Sequence, residues 1–470
     1  MRGATHVSVN EVARHPLATG DELHALATRL FPIGRSLTGD GVRRTLKILQ
    51  EFLPNLRIHD VPTGARVFDW AIPDEWNIRS ARLIDPNGQI IADYTDNNLH
   101  VVGYSVPIDA VMGLEELQQH LHSRPDLPEA IPYVTSYYSR NWGICIPHKT
   151  RESLKPGQYH VQIDSSLEPG FLTYADLLLK GEIADEILIS TYICHPSMAN
   201  NELSGPVVAT FLAQWISRLP RRYTYRFVFV PETIGALTYL QQNLKHLKQW
   251  TRAGFVVTCC GDPGRFSLMP SRTGATYADR LAQTVLLEHE PDYITYSFLQ
   301  RGSDERQYCS PLIDLPVVSV MRSKYHEYPE YHTSLDDLSF ITPRALHRTL
   351  EIYSEIVSAA ENNSVPKATT FGEPQLGKYG LYPQIGGQVD QSKVALSLDL
   401  LAFADGASDL LEIAHKTGHS FTALRTASDL LVKNGLLVTV SPHERNRLRF
   451  SNAFRKSNPR GVRGFWRRSR

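Results

Sequence analysis

The 470-residue sequence predicts an α/β chain built on a mainly parallel sheet with helices on both faces, joined to a strand-rich insertion and a C-terminal winged helix. Three observations carry this expectation. From Glu186 onward, apolar runs such as ILISTYI, YRFVFV and LPVVSVM alternate with helical patterns, and strands separated by helices imply βαβ units. Between 77 and 163 the texture changes to short alternating or aromatic stretches, such as ARLIDPNGQIIADY, broken by Pro-Asn-Gly and Lys-Pro-Gly turns. Beyond position 390, three helical patterns and a short apolar strand follow one another in the order of a winged helix.

Taken in chain order, positions 21–53 read as two amphipathic helices split by FPIGRSLTGDG, where Pro32, Gly34, Gly39 and Gly41 punctuate the pattern. One helix, roughly 113–122, interrupts the strand-rich stretch. In VVATFLAQWI the apolar residues Val207, Val208, Phe211, Leu212, Trp215 and Ile216 recur four apart in pairs, a helix face laid on the sheet. Thr342 and Pro343 suit the cap and first turn of a long closing helix that runs to about Ala360. The stretch 362–390 is rich in Gly, Pro and Gln and reads as a linker. The winged-helix-like region covers 391–445.

Lys plus Arg equals Asp plus Glu at 49 each, so no overall field draws the chain to nucleic acid or an acidic membrane. Charge is uneven only in the basic tail 455–470, whose ordinary reading is a solvated arm and whose alternative is a phosphate contact. Five cysteines show neither paired nor zinc-ribbon spacing, which argues for a reducing compartment. The first twenty residues hold no apolar core of a signal peptide, and no apolar run is long enough for a bilayer. A cytoplasmic protein without a membrane partner is therefore expected.

Chemistry concentrates at strand ends. His195 follows the strand ILISTYI, and His332 in YPEYHTSLDD follows LPVVSVM, so both fall where open α/β sheets place their ligands. Two neutral imidazoles from two strand ends suit zinc, with Glu202 the nearest carboxylate for a third ligand. A lone histidine at a strand end is more often structural; the pair changes that weighting. Glu232, after YRFVFV, is suited to move a proton, although an acid there also stabilises a helix N-terminus. The loop RGSDERQYCSP offers Arg301, Asp304, Glu305 and Arg306, a cluster of a kind usually only solvated.

These pieces resemble the metal-dependent aminopeptidases of the zinc-exopeptidase class. That class carries a His after a strand, an Asp-x-x-Ser-Gly loop, Glu-Glu-x-Gly, a Ser-Asp loop and Tyr-His-Thr-x-x-Asp. Here they stand as His195, Asn201-x-x-Ser204-Gly205, Glu232-Thr233-x-Gly235, Ser303-Asp304 and Tyr331-His332-Thr333-x-x-Asp336. The combination looks closer still to a bacterial aminopeptidase-like family often associated with polysaccharide biosynthesis. The resemblance implies a zinc-aminopeptidase-like domain formed by 20–76 and 164–361, an inserted α+β domain at 77–163, and the winged helix.

Two departures from the pattern bear on the metal. Asn201 stands where the class has an Asp that bridges two zincs, and a neutral amide bridges two cations poorly. Thr233 replaces a zinc-binding Glu, while the general base is kept as Glu232. A further expected Asp falls in TCCGD, where Cys260 and Asp262 are both candidates. One zinc is therefore expected, held by His195 and His332 with Glu202 or Asn201. Glu232 and Asp304 are the catalytic candidates, and Tyr331 and Arg301 the substrate-binding ones. The expected function is zinc-dependent hydrolysis of a peptide or small amide. The rival is a non-catalytic ligand-binding or DNA-linked regulatory protein. The recognition helix expected in the winged region offers only Arg425 and Lys433 as cations, so nucleic acid is the weaker partner. Homo-oligomer formation is left open.

Overall fold

The structure is a computed structural model that describes residues 15–381 and 391–441. The expected basic tail, the end of the winged region from 442 and part of the expected linker lie outside the described residues. The chain divides into two compact units, 1–356 and 357–470.

The first unit is organised by an eight-stranded sheet. Its strands are β1 (Arg57–Pro62), β2 (Phe171–Leu179), β3 (Glu186–Tyr192), β4 (Thr224–Val230), β5 (Thr251–Val256), β6 (Ser267–Met269), β7 (Ile294–Thr295) and β8 (Val317–Met321). They lie in the order β1-β2-β4-β3-β5-β8-β6-β7. The centre, β4-β3-β5-β8, is parallel, and antiparallel pairings flank it on both sides. Every residue of β3 and β4 is buried, which explains their nearly unbroken apolar runs: a central strand covered on both faces has no solvent side. Tyr192 pairs with Val230, so the residues just beyond, His195 and Glu232, emerge on the same carboxyl edge.

The helices follow from the same physics. Gly20–Leu30 starts with a capping box in which Thr19 and Glu22 satisfy each other's backbone amides. Asp40–Phe52 buries Val42, Thr45, Leu46 and Leu49, one stripe at helical spacing. Ser204–Ser217 is buried almost all round. It approaches the sheet so closely that a Cβ at Gly205 would stand 2.2 Å from the Val257 carbonyl oxygen, so no larger residue fits there. The long helix Pro343–Asn362 opens as expected, with the Thr342 hydroxyl accepting from Ala345 N at 3.1 Å.

The inserted segment forms a four-stranded antiparallel sheet in the order Ile90–Asp93, Glu75–Ile84, Gln158–Glu168, Ile108–Gly113. The helix expected at 113–122 is shorter than its pattern suggests. Leu114–Leu117 is α-helical, Gln118–His120 is a 3-10 turn, and Leu121 then pairs with Ile144 as a strand. The His120 ring stacks on Trp142 at 3.8 Å, so a long-range contact overrides the local preference.

In the second unit, helices Gln391–Phe403, Leu410–Thr417 and Phe421–Lys433 accompany a two-stranded sheet. Pro366–Ala368, expected in a linker, pairs antiparallel with Leu437–Thr439. Proline at the first residue of an edge strand costs no ladder bond, which is why its composition hid this strand. Among the described residues no helix is long and apolar enough to cross a membrane. All five cysteines are buried and free.

Candidate active site

Three loops beyond the carboxyl ends of β3, β4 and β8 meet. His195 is 4% exposed, its ring centroid 5.4 Å from that of His332, so imidazoles 137 positions apart share one site. The Nε2 edge of His195 lies 3.7 Å from Glu232 Oε2. Its Nδ1 lies 2.8 Å from Glu202 Oε2, and a carboxylate there fixes the Nδ1–H tautomer. Glu202 thus faces the ring edge opposite Glu232.

The carboxylates around the ring differ in their surroundings. Glu232 Oε1 accepts from the Ser303 hydroxyl at 2.9 Å, and its backbone N–H donates to Cys194 Sγ at 3.2 Å. Burial raises the Glu232 pKa against the lowering influence of His195, Ser303 and Arg306. Asp304 Oδ1 accepts from Thr233 N at 2.7 Å, and burial together with the Glu232 charge holds this acid well above the usual carboxylate range. The Arg306 guanidinium donates to Thr233 Oγ1 at 2.7 Å, which places a cation beside the position where the aminopeptidase pattern has a second acid.

The imidazoles are unlike each other. Burial, with His195 and His326 nearby, pushes the His332 pKa down to about 2, so that ring is neutral. Burial acts in the same direction on His195, but the Glu202 hydrogen bond and the charges of Glu202 and Glu232 outweigh it and raise its pKa. His332 Nε2, Asn201 Nδ2, Glu202 Oε1 and Asp304 Oδ2 are buried polar atoms without a hydrogen-bond partner. Native proteins rarely leave such atoms idle, and four at one strand edge fit a site that takes a polar ligand or ion.

The donor set suits zinc in type, with two imidazoles and several carboxylates. Among the described residues, one trio of donor atoms lies within 4.8 Å of one another: Cys194, His195 and Glu202. His332 is not part of that trio. The Cys194 thiol is held far above its usual pKa by burial, and thiolate is the form that binds metal. The histidine pair is therefore the better chemical match.

The framework behind these groups is dense. Asp336 accepts from Asn200 N at 2.6 Å and Asn201 N at 2.9 Å, joining the His332 loop to the turn 199–203. Ser197, Thr233, Cys259, His326 and His332 all have positive φ, at 26°, 63°, 49°, 68° and 56°. Left-handed non-glycine residues are costly, and their gathering at these strand ends marks where packing overrides local preference.

Tyr331 stacks on His332 at 3.9 Å, so this expected substrate contact does lie at the site. Arg301 does not join it through any of its contacts; its guanidinium covers Phe298 at 4.8 Å and donates to the Phe298 carbonyl. Asn201 accepts from the Tyr192 hydroxyl at 3.2 Å. Of the alternatives in TCCGD, Asp262 accepts from Asn200 Nδ2 at 3.0 Å, while the Cys260 backbone N–H donates to the Ser204 hydroxyl oxygen at 2.8 Å.

Sequence reasoning missed three contributors: Arg35, Tyr133 and Tyr137. Arg35, 1% exposed, donates from Nε to the His195 carbonyl at 3.0 Å and lies 3.7 Å from Glu202. Tyr133, from the insertion, packs 5.3 Å from the His195 ring and 5.0 Å from the His332 ring, and its hydroxyl meets that of Tyr137 at 2.6 Å. Tyr133 N also donates to the His332 carbonyl at 2.9 Å, and Pro132 bridges to Thr333. The tandem Tyr133/Tyr137 spacing was the available signal, but nothing local ties it to a loop two hundred positions away.

Residues 24–363 match the family described as a domain of unknown function (DUF4910), and 364–439 match a winged helix-turn-helix. A Clostridium acetobutylicum protein, provisionally named for polysaccharide biosynthesis with an aminopeptidase-like domain, is 42% identical over 92% of this chain and 99% of its own length. A crystal structure from that organism, provisionally named a peptidase, superposes with a TM-score of 0.84 at 41% identity, covering 90% of this chain and 96% of the other. A zinc aminopeptidase from Bacillus subtilis superposes with a TM-score of 0.53 at 14% identity, over 74% of this chain and 95% of the other. That last likeness is one of fold.

Proposed function

This chain belongs to the DUF4910 family with an added winged helix-turn-helix, and from that premise we propose that it is a zinc-dependent aminopeptidase-type hydrolase of a peptide or small amide. The observation that carries the reading is the convergence of His195, His332 and Glu232 at one strand edge. The name of the Clostridium relative makes a substrate in polysaccharide biosynthesis the natural setting.

His195 and His332 would hold one zinc ion, which supplies Lewis acidity that polarises a carbonyl and acidifies a water. Glu202, bonded to Nδ1, orients the His195 ring instead of completing the metal shell, a reassignment from the ligand role expected of it. Asn201 remains as the neutral third donor. Glu232, its pKa raised toward the working range by burial, takes the proton from the attacking water and returns it to the leaving amine. The idle Asp304 Oδ2 receives the substrate's amino group, and Tyr331 walls the cleft beside His332. Arg306 supplies fixed positive charge where a second metal would otherwise sit.

Asn201 and Thr233 favour a second reading, a ligand-binding module that keeps the fold without turnover. Zinc content and hydrolysis of an aminoacyl chromogenic panel separate the two. We expect about one zinc per chain and measurable turnover that falls by roughly 10²–10⁴-fold in Glu232→Gln. Zinc without turnover on any panel member supports the binding module, and full activity in the variant removes Glu232 as the base.

A further inference from the structure

A second crevice lies at the carboxyl edge of the same sheet, where the chain leaves β8 and enters the long helix Pro343–Asn362. It has a volume of about 490 Å³ and is lined by Glu290, Arg322, Arg344, His347, Arg348 and Glu351 among others. Within it the basic side chains fall into two classes. Arg348 is fully engaged: Nε donates to Glu290 at 2.7 Å, Nη1 to Glu351 at 3.0 Å and Nη2 to the His289 carbonyl at 3.2 Å. His347 is held by the Ala18 carbonyl at 2.9 Å and faces Glu351 at 3.4 Å. Both carboxylates of the crevice are thereby matched.

Arg322 and Arg344 are left over. Arg322 lies over the Phe266 ring at 4.7 Å, and its Nε and Nη1 are buried without a hydrogen-bond acceptor. The nearest acids are committed elsewhere: Asp262 to Gly264 N, the Ser323 amide and hydroxyl and Asn200, Glu290 to Arg348. Arg344 is exposed and has no ion-pair partner among the described residues. Asp262 and Glu290 offset the Arg322 charge only from a distance, since neither accepts a hydrogen bond from it, and a planar fork of N–H groups matches the oxygens of a phosphoryl group.

We propose that this crevice binds a small phosphorylated molecule, with the phosphoryl group held by Arg322 and Arg344. The volume exceeds what inorganic phosphate fills and lies in the range of small-molecule sites, so the ligand is a phosphate ester or diphosphate with an organic moiety. The site is independent of the hydrolytic reading. It is joined to the histidine site all the same, because Ser323, next to Arg322, bonds to Asp262, which bonds to Asn200, whose amide is held by Asp336. A ligand on Arg322 therefore bears on the loop that carries His332.

Calorimetric titration of the full chain with inorganic pyrophosphate, with matched sodium chloride as control, tests the site. We expect saturable one-to-one binding, weakened at least fivefold in Arg344→Ala and at least tenfold in Arg322→Gln. Arg344 is exposed, so its variant decides the matter even where the Arg322 variant misfolds. No pyrophosphate heat at millimolar concentration overturns the proposal, as does unchanged affinity in Arg344→Ala.

Discussion

The two ends of β3 bury charge in opposite ways. At its first residue, Glu186 accepts from Arg226 Nε at 2.7 Å and Nη2 at 2.9 Å, and His246 Nε2 lies 2.8 Å from Oε1, the oxygen that Nη2 also bonds. Arg226 Nη1 reaches the Tyr239 hydroxyl at 2.9 Å, which continues to Asp176 and so to His59. Each of these groups has its partners within the chain. Beyond the other end, His332 Nε2, Asn201 Nδ2 and Asp304 Oδ2 are buried without a hydrogen-bond partner, and Glu202 Oε1 has only the Arg35 guanidinium 3.7 Å away. The same strand thus ends once in a network that is complete and once in one with polar atoms to spare. Completeness is what a structural network optimises, and its absence at the carboxyl end is the more informative half.

The contrast breaks most sharply under substitution. Arg226→Met leaves the buried Glu186 carboxylate with only His246, and removing one partner of such a pair costs up to about 3–5 kcal/mol. Urea unfolding of the first unit should shift accordingly while zinc content per folded chain stays unchanged. A change of metal content without a change of midpoint would mean that the two ends are not separable.

His332→Phe should act in the reverse direction. The phenyl ring keeps the stacking on Tyr331 and Tyr133 but removes the unanswered Nε2, whose desolvation costs roughly 1–3 kcal/mol. In chelator-treated protein the variant should unfold later than the parent, and it should no longer retain zinc. Earlier unfolding would show that the His332 nitrogen is answered by the protein after all.

The smallest effect is one of pH. The folded His332 takes a proton only near pH 2, whereas the unfolded chain takes it near 6.5. Between those values the unfolded state binds more protons, so this contribution is present above about 6.5 and is lost as the pH falls toward 2. Metal-free parent protein should therefore lose urea resistance from pH 7 to 5 more steeply than His332→Phe. Parallel curves would remove His332 as the titrating group.

The architecture of the first unit was readable because its strands are fully buried and its helices striped, which leaves a local signature at nearly every position. His195, Glu232 and His332 were readable for a related reason: strand ends are visible in the sequence, and ligands gather beyond them. Arg35, Tyr133 and the Glu186–Arg226 network were not. Buried ion pairs are matched across crossovers, and a charged residue in isolation looks like a solvated one. Arg301, expected to bind substrate, has its guanidinium over Phe298, an aromatic neighbour three positions back whose pull the charged loop did not advertise. The strand at 366–368 was hidden by the Pro and Gly content around it.

The seam between Tyr133 and His332 has a consequence for assembly. Because the insertion's backbone grips the loop that carries His332, the two imidazoles reach their final separation only when a segment translated two hundred residues earlier has docked. Under the proposed zinc reading, metal capture is then a late event, since a half-made chain presents only a single imidazole.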